Sequence, residues 1–390
     1  MRPSITYTLP AIIGVSYAFT HPGMLHTDDD FARMVTKVEA NATPWITGWE
    51  LLTSNDHSSE TYTPNPQEIV YRGDDGTHGE NYQILYNDVA AAYALALRWK
   101  ISGDTKYADT AVEILNGWAS TLTQITGTSD AALAAGIYGY QFANAAEIMR
   151  NYTGWAAEDQ TTFADMMVDV FYAINTDFLT RHNDAEIDHY WANWDLCNMA
   201  SILSIAILTD DQEKFDEAIN YFESGAGNGQ ANNFIWELHD VDGKILGQGQ
   251  EAGRDQGHAT LDFSLVGVFM QMAYNQGVDL FEYDDNLILA GSEYCSKYNI
   301  GEDVPYTTYT NSDVTQDVIS ENGRGEIRPA WELLYAHYSS IKGLDASYTG
   351  QMRDLVNEQS GGAEGGGGNY GSTSGGYDQL GYGTLTFRLE

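Results

Sequence analysis

Asp88-Val89-Ala90-Ala91-Ala92-Tyr93-Ala94-Leu95-Ala96-Leu97-Arg98-Trp99-Lys100 leads into Ser102-Gly103-Asp104 and then into a second run, Thr105 to Ser120. The first segment is rich in strong helix formers. The Ser-Gly-Asp turn stops it. The second carries Tyr107, Ala111, Ile114, Leu115 and Trp118 on one stripe at helical spacing. Helix, tight turn, helix is an antiparallel pair, and this unit sets the fold class.

The unit recurs along the chain. Ala131–Met149 and Asp159–Leu179 are long amphipathic runs. Trp191–Leu208, a turn at Thr209-Asp210-Asp211, and Gln212–Phe222 repeat the arrangement. His258–Gln276, Asn286–Tyr298 and Pro329–Ile341 follow, the last with proline well placed at a helix start. The period is too loose for a strict helical repeat. Helix pairs of this kind close into an (α/α) toroid or stack as an open solenoid. Three long glycine-bearing loops, Thr53–Glu80, Gly225–Gly249 and Gly301–Arg328, favour the toroid, whose loops converge on a cleft. The expected fold is all-α, an (α/α) barrel of antiparallel pairs in one domain over residues 19–390.

Both ends depart from this pattern. Residues 1–18 join Arg2 to an apolar run and a small-x-small site at Ser16-Tyr17-Ala18, which reads as a secretory signal peptide. The expected location is therefore extracellular. Asn41-Ala42-Thr43 and Asn151-Tyr152-Thr153 then become glycosylation acceptors, and Cys197 and Cys295 are either one disulfide or two buried thiols. Near the other end, residues 361–376 form a glycine-rich run read as a mobile loop. Tyr377–Phe387 regains apolar alternation and reads as a strand-like segment returning to the body.

Composition narrows the function. The 390 residues are 43% hydrophobic, enough for a sizeable core. Acids outnumber bases 56 to 18, a formal charge of −38. That excludes a general nucleic-acid binder and argues against an anionic membrane surface. The 26 Tyr and 9 Trp suit a sugar ring, which needs stacking faces and hydrogen-bond partners together. No phosphate loop, dinucleotide fingerprint, zinc-protease motif or nucleophile elbow is present.

Three polar-aromatic clusters remain. His189-Tyr190-Trp191-Ala192-Asn193-Trp194-Asp195 opens a helix with an amide donor in an aromatic wall. Gln248 to His258 places Glu251, Arg254 and His258 on one face if helical. Val304 to Asn311 is tyrosine-rich and is followed by Asn322-Gly323-Arg324-Gly325-Glu326-Ile327-Arg328-Pro329.

Together with His21-Pro22-Gly23-Met24-Leu25-His26-Thr27 and the closing Gly376-Tyr377-Asp378-Gln379-Leu380-Gly381, these stretches resemble the alginate-lyase superfamily, most of all polysaccharide lyase family 38. The resemblance covers essentially the whole mature chain. It implies an (α/α) barrel and metal-independent β-elimination on 4-linked polyuronates. The expectation is accordingly no cofactor, an anionic uronic-acid polysaccharide as substrate, no nucleic-acid or membrane partner, and a monomer. The resemblance also implies that Asn193 and His258 neutralise the substrate carboxylate. A tyrosine of the Val304–Asn311 loop acts as base and acid, either Tyr306 or Tyr309, with Tyr306 favoured.

The chemistry asks for such residues. The C5 proton beside a carboxylate is a weak acid until donors take up the carboxylate's charge, and each donor contributes about 3–4 kcal/mol. A phenol ionises near pH 10, so nearby cations such as Arg324, Arg328 or His258 would have to lower it. In mannuronate and glucuronate the C5 proton and O4 lie on the same side of the ring, so one tyrosine serves both steps. Arg254, Gln256, Trp194, His78, Tyr82 and Arg328 are the candidate substrate-binding residues. The strong negative charge would repel a polyanion, so the cations must gather in the cleft. Competing readings are a glycoside hydrolase using a carboxyl pair among Asp195, Glu251 and Asp255, and a non-catalytic glycan-binding protein.

Overall fold

The computed structural model describes residues 18–390; apart from Ala18, the candidate signal peptide lies outside the described residues. In chain order the elements are α1 (Asp28–Glu39), α2 (Trp45–Ser54), β1 (Ile69–Arg72), α3 (Tyr82–Ser102), α4 (Thr105–Ala119), β2 (Gln124–Gly127), α5 (Ala131–Met149) and α6 (Ala157–Met166). A π-helical turn carries α6 into α7 (Ala173–Arg181). Then come α8 (Ala192–Leu208), α9 (Gln212–Ser224), α10 (Ala231–Phe234), the strands β3 (Ile235–Val241) and β4 (Lys244–Gly249), α11 (Gln256–Asn275) and α12 (Tyr283–Asn299). The chain closes with β5 (Tyr309–Thr310), β6 (Thr315–Gln316), α13 (Trp331–Tyr335), α14 (Ser347–Gln359) and α15 (Gly383–Thr386).

Small residues decide which helices lie innermost. A Cβ at Gly136 of α5 would fall 2.4 Å from the Cys197 sulfur of α8, and one at Gly139 would fall 2.2 Å from the Ser201 hydroxyl. Only glycine lets these two backbones come so close. Both helices are buried almost all round. Such helices need no polar stripe, whereas α4 and α9 keep one polar face and pack outside. α3 lies against α5 and α11 against α8, so α3, α5, α8 and α11 form the inner row. Each is followed by segments that return the chain, so the four run in the same sense. Their N-terminal ends gather at one end of the molecule.

One apolar core runs from Met24 to Leu385. A satellite cluster of Leu246, Ala252 and Tyr294, with Tyr306 and Ile319 against it, sits under the later loops. The loop expected at Gly225–Gly249 is largely the antiparallel hairpin β3–β4, and the Thr53–Glu80 loop supplies β1, which pairs in parallel with β2. Cys197 and Cys295 are buried free thiols, not a bridge.

The centre of the glycine-rich run packs into the body, while residues 369 and 371–373 remain exposed. Ala363 to Gly367 are buried. A Cβ at Gly366 would strike the Tyr382 ring at 2.1 Å, so these glycines are there for close packing. The strand-like segment beyond takes the form of one bridge, Gly366 to Gly381, and then the short turn α15.

Candidate active site

Two of the gathered helix ends are joined by one buried acid. The first amides of α8 have no partner within their own helix, and the segment leaving β4 supplies one. Ala192 N–H donates to the Gln250 side-chain carbonyl at 3.0 Å, and Asn193 N–H donates to Glu251 Oε1 at 3.0 Å. The Asn193 side chain donates to the same Glu251 oxygen at 2.6 Å. Glu251 Oε2 accepts from Arg254 Nη1 at 2.7 Å. The Arg254 guanidinium lies over the Trp191 ring, 4.9 Å from its centre.

The row continues onto α11. Asp255 caps that helix by accepting from His258 N–H at 2.8 Å, and its Oδ2 lies 2.7 Å from His258 Nδ1 and 3.8 Å from Arg254 Nε. Burial works against the Asp255 charge, yet the hydrogen bonds from the His258 ring and backbone hold its carboxyl below the usual range. Asn193, Glu251, Arg254, Asp255 and His258 are thus contiguous, and the His258 side chain remains 40% exposed.

A second wall faces them from β1, α3 and the C-terminal segment. The Arg72 guanidinium stands 4.8 Å from the centre of the Tyr82 ring and 5.7 Å from that of Tyr138, and its buried Nη1 has no partner. Arg328 is buried; it donates to the Gly257 carbonyl at 3.1 Å and meets Asp378 Oδ2 at 3.3 Å. Burial pushes the Asp378 carboxyl above its ordinary value despite Arg328 and Arg72 nearby. Tyr377 stacks on Tyr86 at 4.3 Å. His78, Tyr82, Tyr86 and Ser372 to Ser374 line an open cavity of 690 Å³. In it, His78 stacks on Tyr71 at 4.4 Å and holds Asp75.

Tyr309 belongs to this neighbourhood. Its phenol oxygen accepts from Gln250 Nε2 at 2.8 Å, one side chain away from the start of α8. Tyr306 does not share that network. Its hydroxyl sits behind Gly253 in the satellite cluster and donates to the Gln316 carbonyl at 3.0 Å. Neither phenol has the lowered pKa that the sequence reading asked for. Burial pushes Tyr306 up to about 12 and also raises Tyr309.

Three more expected site residues have structural partners. Arg324 donates to the Tyr298 and Glu302 carbonyls and lies 3.9 Å over the Tyr298 ring, anchoring a loop to the end of α12. Gln256 is buried, donates to the Ala252 and Ser320 carbonyls and accepts from Asn299. Trp194 is 9% exposed and packs on Phe178 and Tyr190, so it offers little surface to a sugar.

The carboxyls of the hydrolase reading are committed as well. Asp195 is held by His182, Tyr221 and Gly229 N–H, and Glu251 and Asp255 are bound as described. Arg72 and Tyr138 escaped the sequence reading. The one available signal was a lone arginine, Tyr71-Arg72-Gly73, in an otherwise acidic loop.

Known proteins bear on this arrangement. The model of the Alginate lyase family matches residues 52–298, more than half of the chain. No curated protein matches it. The fold resembles an alginate lyase from Bacteroides ovatus with a TM-score of 0.61 at 15% identity, covering 95% of this chain and 100% of that one. Alginate lyase A1-III from Sphingomonas species A1 superposes with a TM-score of 0.62 at 12% identity, covering 96% and 98%. A variant of A1-III complexed with tetrasaccharide gives 0.60 at 13%, covering 93% and 94%. These likenesses identify the helical architecture as an (α/α) toroid. With the family match, they make the chain a polysaccharide lyase that belongs to the alginate lyase family.

Proposed function

We propose that this lyase acts outside the cell on 4-linked polyuronates of the mannuronan or glucuronan type, by syn β-elimination. The observation that carries the reading is the contiguous row from Asn193 to His258, set at the N-terminal ends of two inner helices. Helix N-termini favour anions. Arg254 and His258 present donors from partly exposed side chains, and Asn193, only 2% exposed at the floor of the row, has one N–H beyond the one given to Glu251. A uronate carboxylate held there would have its charge taken up by protein donors as the C5 proton leaves, each donor contributing about 3–4 kcal/mol to the enolate-like state.

Tyr309 is the better placed of the two loop phenols to take that proton and return one to O4. Its oxygen shares Gln250 with the first amide of α8. In the free enzyme the phenol is held neutral, which suits the acid step; the base step needs the ionised form. Arg72 and the aromatic rings around the 690 Å³ cavity would receive neighbouring sugars.

The test is an absorbance screen in the near ultraviolet on mannuronan, guluronan, glucuronan and pectate. A rise on mannuronan or glucuronan, from the new C4–C5 double bond, is expected. A rise confined to guluronan or pectate would overturn the syn assignment, because those sugars need a base on the opposite face. New reducing ends without absorbance would mean hydrolysis.

A further inference from the structure

Glu251 is fully buried, and its two oxygens are divided between the two donors of the row. Oε1 takes the backbone and side-chain N–H of Asn193; Oε2 takes Arg254. No other side chain in the site touches both. Directly behind it lies Asp262, one turn after His258 on α11. It is 1% exposed, no donor group reaches its carboxyl oxygens, and the carboxyl lies within hydrogen-bond reach of Glu251. Two buried carboxyls so close cannot both carry charge cheaply, so Asp262 stays neutral and can donate to Glu251. Burial and the neighbouring Glu251 push its pKa well above the ordinary value.

We propose that Glu251 is the positioning residue of the site, a single buried carboxylate that fixes the Asn193 amide and the Arg254 guanidinium in one register, with the acid of Asp262 as its support. This rests on Asn193 facing the substrate, as proposed above. Because all three donors meet one rigid group, moving that group misplaces both substrate contacts together. An error of about 1 Å in such contacts costs about a hundredfold in rate. Glutamine cannot replace it, since its NH2 group would face either the Asn193 donors or the Arg254 donors.

The test uses the whole enzyme with Glu251→Gln, Asn193→Ala and the double variant. Glu251→Gln should lower kcat by about a hundredfold while KM moves less than about threefold. On the Asn193→Ala background it should cost clearly less than about a hundredfold more, because only its hold on Arg254 is left to lose. A full second loss on that background, or a Glu251→Gln enzyme with wild-type kcat, overturns the inference.

A second readout does not depend on turnover. In Asn-selective ¹⁵N spectra, with Asn193 assigned from Asn193→Ala, its carboxylate-bound side-chain proton should sit downfield and lose that shift in Glu251→Gln. Persistence of the shift overturns the inference. If the wild type releases no unsaturated product, the functional reading fails and this spectrum alone decides the role of Glu251. Should the glutamine variant not fold, Glu251→Asp, which keeps the charge but shortens the arm, is read by the same two criteria.

Discussion

At the scale of residues, the two loop tyrosines separate cleanly. Tyr309 shares Gln250 with the start of α8, whereas Tyr306 donates to a loop carbonyl behind Gly253. Tyr309→Phe is therefore expected to lower kcat by about a thousandfold, and Tyr306→Phe to leave it within about threefold, measured as initial rates of unsaturated product. The opposite ranking would return the role to Tyr306. Burial raises the Tyr309 phenol above its ordinary value, so its ionised fraction grows about tenfold per pH unit below that value. The pH profile of kcat/KM should accordingly climb between about pH 6 and about pH 9. A bell centred in the acid range would point to a carboxyl pair instead. The sequence places Asn193 and His258 near helix starts in polar company, and the structure brings the two into one row. Gln256, Arg324 and Tyr306 turn instead to backbone carbonyls, because residue type does not reveal which side of a loop faces the cleft.

At the scale of elements, α13 starts against a buried acid. Glu364, from the glycine-rich run, accepts from the Trp331 and Glu332 amides at 3.1 and 3.0 Å. Burial, and then the charge of Glu332, push its pKa from 4.5 to about 8. Between those values the unfolded chain releases the proton while the folded chain keeps it. Glu364 therefore withdraws stability as pH rises through that window, on the order of 3–5 kcal/mol by its upper end. Glu364→Gln has no proton to lose and still offers a carbonyl to the amides. Its melting temperature relative to wild type should rise from about pH 5 to about pH 8 and then level off. A difference that is flat with pH would contradict the assignment.

The helices from α3 to α12, the short α10 excepted, were readable because long runs of helix formers alternate with acidic turns. α1, α2 and α14 were not. α1 is mostly polar, and its one clear signal is the capping box Thr27-Asp28-Asp29-Asp30. The hairpin β3–β4 was hidden because its strands carry glycine and charge in place of a clean alternation.

At the scale of the molecule, a charge of −38 surrounds a site that must admit a polyanion. Arg254 and Arg328 are partly offset by Glu251 and Asp378, while Arg72 stands over aromatic rings. Attraction at the site is therefore local, and repulsion dominates at a distance. Salt shortens the range of both, to about 10 Å at 0.1 M. The kcat/KM on long polymer is expected to rise severalfold between about 10 mM and about 200 mM salt, and that on a tetramer to change less. A steep fall with salt on polymer would show long-range steering by positive charge. The toroid itself was legible from the recurring helix pairs. Of the second wall, the sequence points to His78, Tyr82 and Arg328 but not to Arg72 and Tyr138, which join them only once the ring is folded.

The central claim is that the glycosidic bond breaks by loss of a C5 proton, without water adding to either fragment. The most direct measurement is mass spectrometry of the products formed from mannuronan or glucuronan in ¹⁸O-labelled water. Products lighter by one water than hydrolytic oligomers, and carrying no oxygen label from the cleavage itself, are predicted. Full-mass products that gain one labelled oxygen per bond cut would contradict the account.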